Sequence, residues 1–135
     1  MINPFFSPFT MYGDEISISC SHPDIRDRGA IVFYGRARCS PFDTYNPSAG
    51  RAIAKTSAHI NFLEYYRKTV LRPKKKTLEE TLKALKRAKV DKKPIRIIKK
   101  MLLDNEKSLH EIHEQLKVLK FIREEVSGRT YYVGH

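Results

Sequence analysis

The stretch Ala30-Ile31-Val32-Phe33-Tyr34-Gly35-Arg36-Ala37-Arg38-Cys39, followed after a turn by Asn46-Pro47, decides the fold class. It begins as a continuous apolar run, the pattern of a strand buried on both faces. From Gly35 onward it alternates, with Arg36 and Arg38 on one face and Ala37 and Cys39 on the other. Ser40-Pro41-Phe42-Asp43 is turn chemistry. Asn46 then supplies a helix cap, and Pro47 suits the first helical position, where a missing N–H costs nothing. A helix is predicted from there to about Val70. Ile53, Ile60, Leu63 and Val70 share one of its faces, and Ala49 and Ala52 allow close approach to a sheet. Upstream, Glu15-Ile16-Ser17-Ile18-Ser19-Cys20 has the period of a half-buried strand. Ser21-His22-Pro23-Asp24 and Asp27-Arg28-Gly29 read as turns.

Downstream the pattern becomes helical. Arg72-Pro73-Lys74-Lys75-Lys76 reads as a linker between two halves, residues 1–71 and 72–135, of a single domain. Thr77 and Glu80 form a capping box for a short helix striped by Leu78, Leu82, Leu85 and Val90. Asp91 and Pro94 signal a further start. Ile95, Ile98, Leu102, Asn105, Leu109, Ile112, Leu116, Leu119, Arg123 and Val126 are then spaced alternately three and four. That is a heptad seam of about five repeats and about 50 Å, closed by Ser127-Gly128. Ser108 and Glu111 offer a second capping box, so a break is expected at Asp104-Asn105. Thr130-Tyr131-Tyr132-Val133 reads as a terminal strand. The predicted class is α+β: a small antiparallel sheet with a packed helix, then long carboxy-terminal helices in a hairpin or coiled-coil arrangement. A second copy of the chain would cover the seam, with Asn105 and Arg123 fixing register and partner number. The alternative cover is the short helix and the 48–70 helix of the same chain.

The chain has 135 residues, 41% of them hydrophobic and 30% charged, a globular composition long enough to bury a core without staples. No stretch approaches 18 apolar residues, so no transmembrane helix and no membrane partner are expected. The apolar start has no positively charged region or cleavage site of a secretory signal. Two cysteines in such a chain point to a reducing, cytoplasmic compartment and to no structural disulfide. Lys and Arg number 26 against 15 Asp and Glu, a formal net charge of +11. An anionic partner is therefore the default. The excess is local, because residues 72–100 carry 13 basic and 3 acidic side chains.

Four constellations are candidates for chemistry. Gly35, Arg36, Arg38 and Arg51 resemble a phosphate pocket: a glycine for close backbone approach, guanidinium forks for oxygens, and a helix N-terminus beside them. An edge strand with solvated arginines is the alternative. Lys74, Lys75 and Lys76 head a basic stretch suited to nucleic-acid phosphates, though without interleaved aromatics, and a solvated helix face is its alternative. His110 and His113 stand one helical turn apart, a spacing that ligates metal when a third ligand is present; none stands nearby, and a surface pair is expected. Cys39, Asp43 and His59 contain the residue types of a nucleophile, orienter and base, but no nucleophile signature surrounds Cys39, which is expected to be a buried structural thiol. No acid–base pair or metal motif stands out, so a non-enzymatic protein without a cofactor is expected.

Gly35-x-Ala37-x-Cys39-Ser40-Pro41-x-Asp43-x-x-Asn46-x-x-x-Gly50-x-x-Ile53-Ala54 resembles the core of small phage and prophage proteins, among them the anti-Thoeris sponge family. The resemblance covers about 20 residues. It departs from the family pattern at Tyr45, where phenylalanine is expected, and at Lys55-Thr56-Ser57-Ala58. It implies a compact sheet with long carboxy-terminal helices, assembled as a homo-oligomer in the host cytoplasm. The implied function is counter-defence: binding and sequestering a cyclic ADP-ribose isomer, or a cyclic oligonucleotide, without catalysis. Such a ligand requires arginines for its pyrophosphate, for which Arg36, Arg38 and Arg51 are available, and a ring to stack on adenine, drawn from Phe62, Tyr65, Tyr66 or Phe121. A basic nucleic-acid-binding accessory protein and an inhibitor docked on a host protein are the alternatives.

Overall fold

The computed structural model describes residues 2–26, 30–40, 45–127 and 131–134. Its elements run β1 (Phe5–Phe6), β2 (Thr10–Tyr12), β3 (Glu15–Arg26), β4 (Ala30–Cys39), α1 (Pro47–Tyr66), a π-helical turn (Arg67–Leu71), α2 (Arg72–Arg87), α3 (Lys92–Ser127) and β5 (Tyr131–Gly134). The class is α+β, as the alternation and the seam predict. The turns expected at Asp27-Arg28-Gly29 and Pro41-Phe42-Asp43 lie outside the described residues, as does Gly128 of the expected helix stop.

The strands form one antiparallel sheet in the order β1-β3-β4-β5, with β2 continuing the β1 edge alongside β3. The β2–β3 hairpin was not predicted. It turns on Gly13, whose φ of +61° supplies the left-handed first position of a two-residue loop, with Tyr12 paired to Glu15. β3 also outruns its expected end. Instead of forming a turn, Ser21-His22-Pro23-Asp24 stays in the strand, and the register against β4 shifts between Ser21 and Arg26. The extra residues are absorbed as a bulge, where Pro23 needs no ladder hydrogen bond.

Alternation sorts the two faces. Ile16, Ile18, Cys20, Ala37 and Cys39 are buried on the inner face, with Gly35 among them. Val32, Tyr34, Arg36 and Arg38 are exposed on the outer face. The apolar start of β4 is thus not buried on both sides, because no described element covers the outer face. α1 lies on the inner face, and Ala54 and Ala58 provide the close approach assigned from sequence to Ala49 and Ala52. Asn46 caps α1 as predicted, its Oδ1 accepting the Ala49 N–H at 3.2 Å. Ile53, Ile60, Phe62 and Leu63 complete the core, and Ile112 and Leu116 of α3 close it from the far side of α1.

The expected linker is helix. Backbone angles stay right-handed helical at Tyr66, Leu71 and Arg72, so α1 runs through the π turn into α2. Pro73 explains the turn. In an unbroken α-helix its ring would meet the carbonyl of Thr69 and its missing N–H would leave that carbonyl without a donor. The π turn inserts a residue just before it, with the Arg72 N–H donating to the Arg67 carbonyl. Thr77 is therefore interior to α2 rather than its cap, and accepts from the Thr81 hydroxyl through its own carbonyl at 2.8 Å.

α3 is likewise unbroken at Asp104-Asn105. Asn105 is buried, and its Nδ2 donates to the Leu71 carbonyl at 3.2 Å, so the polar residue in the seam anchors α3 to the α1–α2 junction. Within the chain the seam lies against α1 and α2, buried at Asn105, Ile112 and Leu116 and half-buried elsewhere. Ile95, Ile98 and Leu102 are half-buried in a hairpin with α2. Beyond Asn105 the seam packs on α1, bracketed by Lys120–Glu64 at 2.8 Å. At the hairpin tip Lys89 takes φ +54°, a conformation that disfavours a side chain. Lys89→Gly should therefore raise stability by about 1 kcal/mol, read as a higher Tm. No described helix is long and apolar enough to cross a membrane.

Candidate nucleic-acid interface

α2 and the first part of α3 form an antiparallel arm centred on the tight connection at residues 88–91. Lys75 of α2 meets Glu106 of α3 at 2.6 Å, which sets the pairing of the two helices. At 1.5 Å per residue, the 16 residues of α2 make the arm about 24 Å long. Only Leu78 of α2 is buried, and in α3 no residue before Asn105 is. The arm therefore presents most of its surface to solvent.

Its charge is ordered. Arg72, Lys76, Lys83 and Arg87 recur at spacings of four, seven and four, which keeps them on one side of α2. Lys92, Arg96 and Lys99 do the same on α3. Because the helices run antiparallel, both rows turn toward the same side of the arm. All seven are exposed. Among the described residues, Lys75 is the one basic side chain of residues 72–100 held in an ion pair. Glu106, through its hydrogen bond and its charge, raises the Lys75 ammonium above its usual pKa. Of the sequence-predicted lysines, Lys74 and Lys76 are exposed and Lys75 is half-buried.

The expected phosphate pocket is not assembled. Arg36 and Arg38 share the outer face, as alternation predicts, but both turn to Glu15: Arg38 Nη2 lies 3.2 Å from its Oε2 and Arg36 Nε 4.0 Å from its Oε1. Arg51 belongs to α1, on the inner side of the sheet, where its Nη2 donates to Ser48 Oγ at 3.4 Å. The sheet separates it from the other two. Gly35 also faces inward, so it admits the α1 backbone rather than a ligand.

Of the expected stacking rings, Phe62, Tyr65 and Tyr66 join one aromatic cluster with Phe33, and Phe121 takes no part in it. Phe62 is fully buried, stacked on His22 with centroids 5.4 Å apart and set against Phe33 and Tyr66. Tyr65 leans on Phe33 at 5.2 Å. Phe121 is exposed on α3, away from both.

One polar cluster went unpredicted because its sequence reads as a turn. Within the β3 bulge, the Asp24 N–H donates to His22 Nδ1 at 3.1 Å, which places the imidazole proton on Nε2. The Asp24 carboxylate accepts the Tyr66 hydroxyl at 3.0 Å. Burial, then this hydrogen bond, pushes the Tyr66 phenol up to about 12. It stays protonated and serves as a clasp from α1 to the bulge.

Of the remaining candidates, Asp43 lies outside the described residues. Cys39 is buried, and its thiol donates to the Ser40 carbonyl at 3.5 Å. Burial pushes the Cys20 thiol up to about 11, out of reactive range. His110 and His113 are exposed, and among the described residues no group of three His, Cys, Asp or Glu side chains is placed to hold a metal.

His59 packs edge-on to Phe6 at 5.8 Å, and burial, followed by the charge of Lys55, holds its imidazole below the usual pKa. An unfolded histidine takes up its proton near pH 6.5, before the folded one does. His59 thus contributes stability in full above that value, and the contribution is lost as pH falls toward the lowered folded pKa. Tm should drop between pH 7.5 and 5.5, and His59→Gln should drop less over the same interval.

No family model, curated protein or solved structure matches this chain.

Proposed function

We propose that this protein binds nucleic acid, without catalysis, through the basic side of the α2–α3 arm. One observation carries this reading: seven exposed Lys and Arg side chains in two adjacent rows, on an arm where a single lysine is internally paired. Duplex DNA presents one negative charge per about 1.7 Å of axis, so an arm about 24 Å long meets ample phosphates along its length. The arginines expected to serve a small cyclic nucleotide, Arg36, Arg38 and Arg51, stand in two layers of the fold and lend that reading less support.

Changing Lys76, Lys83, Arg87 and Arg96 together to Gln tests the proposal. Each phosphate contact contributes about 0.9 to the slope of log affinity against log salt. The quadruple variant should lose most of its affinity for a 20-base-pair duplex at low salt, and its slope should fall by about 3 to 4. Gln at Lys68 and Lys117, both exposed outside the arm, should change little. An equal loss in the two variants, or no binding by the unaltered protein, would overturn the assignment.

A further inference from the structure

The outer face of the sheet has an order of its own. The central strand β3 presents only small side chains there between Glu15 and the bulge: Ser17, Ser19 and Ser21. On one flank, β4 raises Val32 and Tyr34. On the other, Phe5 pairs in register with Ser21, and Tyr12 pairs with Glu15. Directly paired residues share a face, so Phe5 and Tyr12 stand on the same side as Tyr34. All three rings are mostly in solvent: Tyr12 is 85% exposed, Phe5 70% and Tyr34 58%. The result is a serine-floored trough walled by aromatic rings. It is two strand spacings wide, about 10 Å, and at one end the exposed Arg36 and Arg38 stand beside Glu15.

We propose that this trough is a base-stacking platform for single-stranded nucleic acid. The proposal rests on the nucleic-acid reading above and adds which form the sheet takes. Exposed rings on both walls offer π faces to successive bases, and serine hydroxyls donate and accept at base edges. From Phe5 to Tyr34 is about 12 Å across the trough, a distance for one strand with its bases splayed. A duplex is about twice as wide and hides its base faces in the stack.

Charge supplies continuity. At one end the exposed Arg36 offers its guanidinium to a phosphate. At the other, the row Phe5–Ser21–Val32 lies beside the bulge, where Tyr66 of α1 bonds Asp24 and Tyr65 rests on the neighbouring Phe33. The basic arm springs from that end of α1. The arm continues the layer of α1, so a strand leaving the trough there reaches it by rounding that end of the sheet.

Fluorescence titration of the full chain with a labelled 12-mer of deoxythymidine, the same length of oligouridine, and a blunt 20-base-pair duplex tests this. Tyr12→Ala combined with Tyr34→Ala removes two exposed rings and should leave Tm unchanged. Roughly ten- to a hundred-fold of single-strand affinity should go, with the salt slope and duplex affinity preserved. Tyr12→Phe with Tyr34→Phe keeps the rings and should keep the affinity. Comparing deoxythymidine with uridine identifies the sugar that the trough takes. Unchanged single-strand binding in the double-alanine variant would overturn the platform. So would an equal loss on duplex, or sedimentation showing a dimer that these two substitutions dissociate. The arm variant separates the two ideas. If it loses affinity while the double-alanine variant does not, the platform fails and the nucleic-acid reading stands. If neither loses affinity, both fail.

Discussion

Gly35→Ala should lower Tm steeply or abolish the cooperative fold, although it adds a single methyl group. On the inner face of β4, a Cβ at this position would overlap the Ala54 carbonyl oxygen and come within 2.5 Å of the Ala58 nitrogen. Both obstacles are main chain of α1, so no side-chain rotation relieves them. The helix would have to lift from the sheet, and Ile53, Ala54, Ala58 and Phe62 would lose their packing along the whole contact. Overpacking a core commonly costs about 1–3 kcal/mol where side chains yield; a backbone collision at the helix–sheet seam belongs above about 4. Against a total stability of about 5–15 kcal/mol, that removes from about a quarter to most of it. Thermal melts followed by circular dichroism should show a large drop in Tm or no cooperative transition. A variant that melts like the parent would mean that α1 does not approach β4 this closely.

Gly35 also shows how far the sequence could be read. Glycine between Tyr34 and Arg36 announces that something approaches the backbone closely, and it does. Whether that is a ligand or a helix depends on which face the glycine occupies relative to α1, and strand period alone leaves this open. Alternation did place Arg36 and Arg38 together, and Asn46-Pro47 did mark the start of α1, because both are local chemistry. Gly13-Asp14 carried an equally local hairpin signal that would have located β2. The lysine run differs from its expected linker for another reason. Pro73 is a helix breaker by propensity, but a π turn one residue upstream lets the helix pass, and that accommodation has no sequence signature. The aromatic trough was invisible because its walls come from residues 5, 12 and 34, which only strand pairing brings side by side.

The heptad seam separates period from occupant most sharply. Every seam position between Ile95 and Val126 is buried or half-buried in the structure, so the period was right. A stripe of that period fits a partner chain or a helix of its own fold equally well, and the chain supplies both α1 and α2 as cover. The two arrangements differ in concentration dependence. Ile112 is fully buried against α1, with Leu116 a turn further on. Ile112→Glu forfeits about 1.5–3 kcal/mol of burial and puts a carboxylate into the apolar core, for a total above about 4 kcal/mol. With the seam covered by α1, this loss is unimolecular. The Tm of the unaltered chain should then not move across a hundred-fold range of protein concentration, and Ile112→Glu should lower it by the same large step throughout that range. Ile97→Glu, at a position that is 52% exposed outside the seam, should leave Tm nearly unchanged. A Tm that climbs with concentration in the parent, together with an Ile112→Glu chain that stays folded as a smaller particle, would put a second copy on the seam and take it away from α1.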